Sequence, residues 1–229
     1  MKNNYCTKEV DVEDLENSLI KCPVSTSNSN HTYAIGDTIE FAGSNWKVIK
    51  ASTTEEDYVT VMKELVLTNA ELGNYASNST DHAMEYTWTD SCHNAAHGYS
   101  DIAYNCDNKN SYATSKVKEM LETKYLPTIG GFNLKEVDGY KIRLVTLDEL
   151  YNNLGCISSN RDCTSSPYAS WLHEYFGNDA YGYWTMTGDS NFSINTWYLY
   201  FGGQTNTATV MNYTISIRPV INLLKFSIH

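Results

Sequence analysis

Tyr183–Pro219 reads YWTMTGDSNFSINTWYLYFGGQTNTATVMNYTISIRP, and between Gly177 and Ile217 the only formal charges are Asp179 and Asp189. Tyr, Trp, Asn, Ser, Thr and Gly dominate it. These residue types build paratopes, because aromatic rings supply contact area at low entropic cost and small polar side chains supply adaptable hydrogen bonds. The stretch also carries strand patterning. Trp197, Leu199 and Phe201 alternate with Tyr198 and Tyr200, and after a Gly-Gly turn Thr207–Tyr213 and Ile215–Leu223 read as further strands. The alternation predicts Trp197, Leu199 and Phe201 facing a core and the two tyrosines facing out. The outward tyrosines are either a binding face or ordinary aromatics on a wet sheet surface. The scarcity of Lys and Glu favours binding, since a purely solvating surface carries more charge.

Upstream, Thr38-Ile39-Glu40-Phe41 and Trp46-Lys47-Val48-Ile49 flank Ala42–Asn45, a hairpin signal, and Tyr58–Met62 is a third strand rich in β-branched residues. Ser111–Leu126 reads as an amphipathic helix capped by Thr114 or Ser115, with Val117, Leu121 and Tyr125 at fourfold spacing and Pro127 as its stop. Tyr140–Val145 alternates as a strand. It runs into Thr146-Leu147-Asp148-Glu149, a capping box opening a short helix that Gly155 ends. The expected class is α+β, with short antiparallel sheets, two flanking helices and long loops. Residues 1–32 form an N-terminal arm or linker, and 33–229 form one domain with a loop insertion around 74–110.

The net charge of −11 argues against nucleic acid, whose binding draws on Lys and Arg. No apolar run approaches the ~18 residues of a membrane span, and the N-terminus lacks the apolar core of a signal peptide. Direct membrane insertion is therefore not expected. Six cysteines fall into pairs by proximity alone: Cys6 with Cys22, Cys92 with Cys106, Cys156 with Cys163. Disulfides in such polar loops point to an extracellular or cell-surface setting, with export or anchoring elements outside these 229 residues. Six unrelated thiols in a reducing cytosol is the other reading.

Cys92, His93, His97 and Cys106 could bind zinc, but their spacing fits no usual zinc pattern. Asp189 with Asn191, or Asp107 with Asn108, offers oxygens without the converging carboxylates calcium needs. No nucleophile elbow, phosphate loop or isolated carboxylate pair points to catalysis. The reading is a non-enzyme without a cofactor or metal.

The segments YAIGDTIEFAGSNWKVIK, DGYKIRLVTLDELYNNLG, SPYASWLHEYFGNDAYGYWTM and ISIRPVINL resemble a family of C-type-lectin-like surface domains from gut-dwelling Firmicutes. The Trp184-Thr185 pair, the Gly-rich turn and the closing Arg218-Pro219-Val220 also resemble variable proteins diversified by retroelements. That resemblance implies a lectin-like fold with its N- and C-terminal strands paired. It makes Thr187, Asp189, Ser190, Asn191, Ser193, Asn195, Tyr198, Tyr200, Gln204, Asn206, Asn212, Tyr213 and Thr214 replaceable ligand-binding positions. Trp184, Trp197, Leu199, Phe201 and Ile217 become scaffold. Gln204 fits adenine-directed change of an Asn codon least well. The implied function is non-catalytic binding of a protein or glycan at a cell surface. A structural, pilin-like subunit is the alternative.

Overall fold

The computed structural model describes residues 30–68, 70–72, 110–176, 181–210 and 215–228. Eight strands run through them: β1 (Thr38–Phe41), β2 (Ser44–Lys50), β3 (Tyr58–Lys63), β4 (Ile142–Arg143), β5 (Gly182–Gly188), β6 (Asn195–Tyr200), β7 (Thr205–Thr209) and β8 (Val220–Leu224). They form a five-stranded sheet of order β1-β2-β3-β8-β4 and a three-stranded sheet of order β5-β6-β7, every strand pair antiparallel. With its few short helices the chain is α+β. The expected pairing of N- and C-terminal strands is β3 against β8, where Val61 lies opposite Ile221.

The inner strands β3 and β8 of the larger sheet, and β5 of the smaller, are buried on both faces, whereas the edge strands β1 and β7 keep exposed residues. Successive residues of β3 feed different cores: Val61 belongs to one apolar cluster with Val48, Ile221 and Leu121, and Met62 to another with Ile49, Val220 and Leu172. The three-stranded sheet divides the same two clusters, with Trp184 and Tyr198 on one side and Tyr183 and Leu199 on the other. A strand covered on both sides loses the apolar-in, polar-out signature. Its one buried polar cross-strand pair is satisfied internally, the Thr60 hydroxyl donating to Asn222 Oδ1 at 2.9 Å.

The β1–β2 hairpin closes through Ala42 and Gly43 alone, with Phe41 paired to Ser44. Their φ angles of 51° and 72° define the left-handed loop that matches strand twist. The main helix begins at Lys116–Met120 (α1), where Ser115 accepts a hydrogen bond from the Lys118 N–H. It widens over Leu121–Tyr125 and tightens into a last turn over Leu126–Ile129, burying Val117, Leu121 and Tyr125. Pro127 does not stop it. Proline is tolerated at the start of the tight last turn, and the chain reverses at Gly130 instead. The capping box forms as expected, with Glu149 N–H donating to the Thr146 hydroxyl at 3.0 Å and Thr146 N–H to Glu149 Oε2 at 2.9 Å. Gly155, at φ 71°, follows that helix.

Three boundaries differ from the sequence reading. Tyr140–Val145 is a strand only over β4, because Val137–Tyr140 is a tight hairpin of its own. β7 covers Thr205–Thr209, starting two residues before the expected Thr207, and Met211–Tyr213 lie outside the described residues. Ile215–Pro219 is buried without being a full strand. Ser216 makes one parallel bridge to Tyr183, and Ile217 and Pro219 carbonyls accept from Leu67 and Lys63 of the chain beside them. Beside single tight turns such as Gly131–Asn133 and Lys225–Ser227, a third helical segment of five residues, Ser170–Glu174, adds to the two expected; five residues are too short to show a period.

That third segment is tied to the C-terminal chain by Arg218, which is fully buried. Its Nε donates to Lys63 O at 2.7 Å, Nη2 to Glu64 O at 2.6 Å and Trp171 O at 2.9 Å, and Nη1 to Leu172 O at 3.2 Å. Burial pulls its pKa down from the ordinary guanidinium value. Four carbonyls and three aromatic faces, Tyr183 nearest at 5.0 Å, stand in for water around this cation.

Candidate functional site

β6 carries the candidate residues at its two ends, which its six residues separate by roughly 17 Å. At the C-terminal end three rings meet at the surface. Tyr200 lies 4.3 Å from Phe201 and 4.8 Å from Tyr181, centroid to centroid, and Tyr181 and Phe201 are 6.1 Å apart. Tyr181 is 45% and Phe201 51% exposed, and Tyr200 is half-buried. Gly202 shapes this patch. A Cβ there would meet the Tyr200 ring at 2.6 Å, so only glycine lets that ring lie across the turn. Tyr200 N–H donates to Gln204 O, and Tyr198 pairs with Asn206 in the ladder, so Tyr198, Tyr200, Gln204 and Asn206 share one face of the sheet.

Tyr198 is a correction to the outward-facing expectation: it is 6% exposed and packs edge-on against Trp184 at 6.2 Å. The alternation along β6 is real, but Tyr198 and Leu199 on its opposite faces each enter a core cluster, so parity does not distinguish wet from dry there. Burial first, then the neighbouring Tyr181 and Tyr200, pushes the Tyr198 hydroxyl up to about 12. Phe201 is the opposite correction. It sits past the strand end, in the turn, and is exposed rather than scaffold.

A second hairpin, bridged at Ile157 and Asp162 and closed by the Cys156–Cys163 disulfide, braces this end of the sheet. Cys163 N–H donates to Gly203 O at 2.6 Å and Thr205 N–H to Arg161 O at 2.9 Å. The Arg161 guanidinium covers the half-buried Trp197 ring at 4.7 Å. Two hydrogen bonds from Thr164 hold the Asp162 carboxyl below the usual carboxylate range. Together these contacts guard the β7 edge: Thr205 N–H is taken by Arg161 and Thr207 N–H by the Asn206 side chain at 2.8 Å.

At the other end of β6 the chain loops through five consecutive exposed residues, Ser190 to Ile194. Asn110 pins this loop, its amide nitrogen lying 2.8 Å from the Asp189 and Asn195 carbonyls and 3.2 Å from that of Phe192. Phe192 is 59% and Ile194 46% exposed. Asp189 is buried and its carboxylate accepts from Asn191 N–H at 2.8 Å, a local turn contact. The half-buried Thr187 hydroxyl accepts from Leu147 N–H at 3.0 Å, joining β5 to the second helix. Asn195 is half-buried.

Of the thirteen positions named from sequence, Ser190, Asn191, Ser193, Gln204 and Asn206 are exposed, Thr187, Asn195 and Tyr200 are half-buried, and Asp189 and Tyr198 are buried. Asn212, Tyr213 and Thr214 lie outside the described residues, as do Cys6, Cys22, Cys92, Cys106, His93, His97, Asp107 and Asn108. Tyr181, Phe192, Ile194 and Phe201 were not among those positions. The signal for Phe201 is its place directly before Gly-Gly, beyond the last paired residue; a lone aromatic ahead of a strand, as at Tyr181, carries none.

Among the described residues no group of three or more His, Cys, Asp and Glu side chains is placed to hold a metal ion, and no helix is long and apolar enough to cross a membrane. Comparison with protein-family models, characterised proteins and solved structures finds no match to this chain.

Proposed function

We propose that this is a non-catalytic, C-type-lectin-like binding domain that acts at a cell surface and takes a protein or glycan ligand on the patch of Tyr181, Tyr200 and Phe201. The observation that carries the reading is the contact of three rings at a surface where two are about half exposed. Exposed aromatics in mutual contact, bordered by uncharged Gln204 and Asn206, combine apolar area with hydrogen-bonding groups at low entropic cost. The disulfide-closed hairpin beneath the turn holds the patch in place, which lowers the ordering cost of binding.

Ser190, Asn191, Ser193, Gln204 and Asn206, whose side chains are exposed, are the positions where retroelement diversification would change the surface without disturbing the core. The pilin-like alternative gains nothing from the β7 edge, where two outward N–H groups are already occupied. The test is to screen the chain against arrayed glycans and immobilised extracellular proteins, then repeat with Tyr200→Ala and Phe201→Ala. Loss of the bound species in both variants supports the patch; unchanged binding in both refutes it.

A further inference from the structure

We propose a second site, a cleft of about 250 Å³ lined by Asp138, Tyr140, Arg143, Thr146, Glu149 and Met186, that binds a small zwitterion carrying an ammonium and a carboxylate on one short chain. The cleft is held open by fixed contacts. The Val137–Tyr140 hairpin is closed by reciprocal 3.0 Å hydrogen bonds, and the Tyr140 ring rests 5.5 Å from that of Tyr112. Thr146 and Glu149 are locked in the capping box.

The chemistry of the ligand follows from what these contacts leave unused. Arg143 gives Nη1 to Glu149 Oε2 at 2.8 Å and to Leu144 O at 2.9 Å, and Nη2 to Glu149 Oε1 at 2.5 Å. A guanidinium has five N–H donors. The two left over, Nε–H and the second Nη2–H, lie side by side on one edge and match the two oxygens of a carboxylate. Asp138, exposed in the left-handed turn at φ 53°, has no hydrogen bond or ion pair among the described residues.

Charge then selects the class. Arg143 and Glu149 cancel, and Asp138 leaves the cleft one negative charge in a chain of net −11. A simple carboxylate would meet net repulsion, and a simple amine would leave the Arg143 edge unmatched. A molecule bearing both groups satisfies both, with its carbon chain against Tyr140 and Met186. A cleft of about 250 Å³ has room for a ligand of amino-acid size.

The site is separate from the aromatic patch, so the two are tested apart. Glycine, β-alanine and γ-aminobutyrate, with acetate and methylamine as half-ligands, are titrated into the full chain while the Met186 methyl and Arg143 Nε–H signals are followed by NMR. At least one zwitterion is expected to shift both signals saturably in the millimolar range, about tenfold tighter than either half-ligand. Asp138→Asn, which suits a left-handed turn, should weaken that zwitterion about tenfold at an unchanged unfolding midpoint, and Phe201→Ala should leave its binding intact. On the wild-type chain the methyl ester and the N-acetyl derivative of the same zwitterion should each lose binding, a check independent of any variant. Absence of a saturable shift with every zwitterion overturns the proposal, as does equal binding of acetate or of the two blocked derivatives.

Discussion

The Arg218 guanidinium sits 5.0 Å over the Tyr183 ring, and both side chains donate to one acceptor, the Leu172 carbonyl, at 3.2 Å and 3.0 Å. This joins the C-terminal chain, β5 and the third helical segment at a single buried oxygen. Arg218→Met should cost about 3–5 kcal/mol, because four carbonyls lose their donor together. Arg218→Lys should cost nearly as much, since one ammonium cannot reach the carbonyls of Lys63, Glu64, Trp171 and Leu172 at once. Tyr183→Phe, which leaves Leu172 O with one donor, should cost about 1 kcal/mol. Urea unfolding midpoints order the three.

Alkaline pH tests the buried phenols. Burial pushes Tyr183 up to about 12 and Tyr198 to about 12, against ~10 in an unfolded chain. Their neutral forms therefore contribute stability that is fully present below pH ~10 and lost as pH rises through about 12. Tyrosinate absorbance followed beside circular dichroism should show a late class of phenols ionising as the fold is lost. Titration of all tyrosines together near pH ~10, with the fold intact, would contradict the burial.

The β1–β2 loop offers a stabilising change. Ala42 holds φ 51°, a conformation in which Asn is favoured over Ala. Ala42→Asn should add about 0.5–1 kcal/mol, read as a rise in the thermal midpoint.

Breaking the disulfide tests the brace under the patch. Cys156→Ser with Cys163→Ser removes a crosslink spanning seven positions and should cost about 2–3 kcal/mol. It should also increase hydrogen exchange at the Cys163 and Thr205 amides, whose acceptors are Gly203 and Arg161. Unchanged exchange at both would show that the hairpin holds its shape without the bridge.

Local signals were legible in the sequence where one short-range rule decides: Ser115 as cap, the Thr146–Glu149 box, and the hairpin around Ala42 and Gly43. Facing was not. Tyr198 reads as wet only if β6 has one solvated side, and the core behind it joins Trp184 of the neighbouring strand to Val117 and Leu121, helix residues distant in sequence. Phe201 was misread for the complementary reason, since alternation stops meaning anything once the ladder ends. Asn110 is invisible to any local rule, because its three carbonyl partners lie 79 to 85 positions away. The buried Arg218 likewise depends on carbonyls of Lys63 and Glu64 more than 150 positions upstream.

The aromatic patch is tested most directly by comparing two neighbours, Tyr198 and Phe201, for ligand binding and stability in parallel. With a ligand from the array or protein screen, Phe201→Ala should weaken binding by about 1–3 kcal/mol and change stability by less than ~0.5 kcal/mol. Tyr198→Ala should instead cost about 3 kcal/mol of stability, as loss of a buried ring does. A Phe201→Ala chain that keeps full affinity for that ligand would contradict the account.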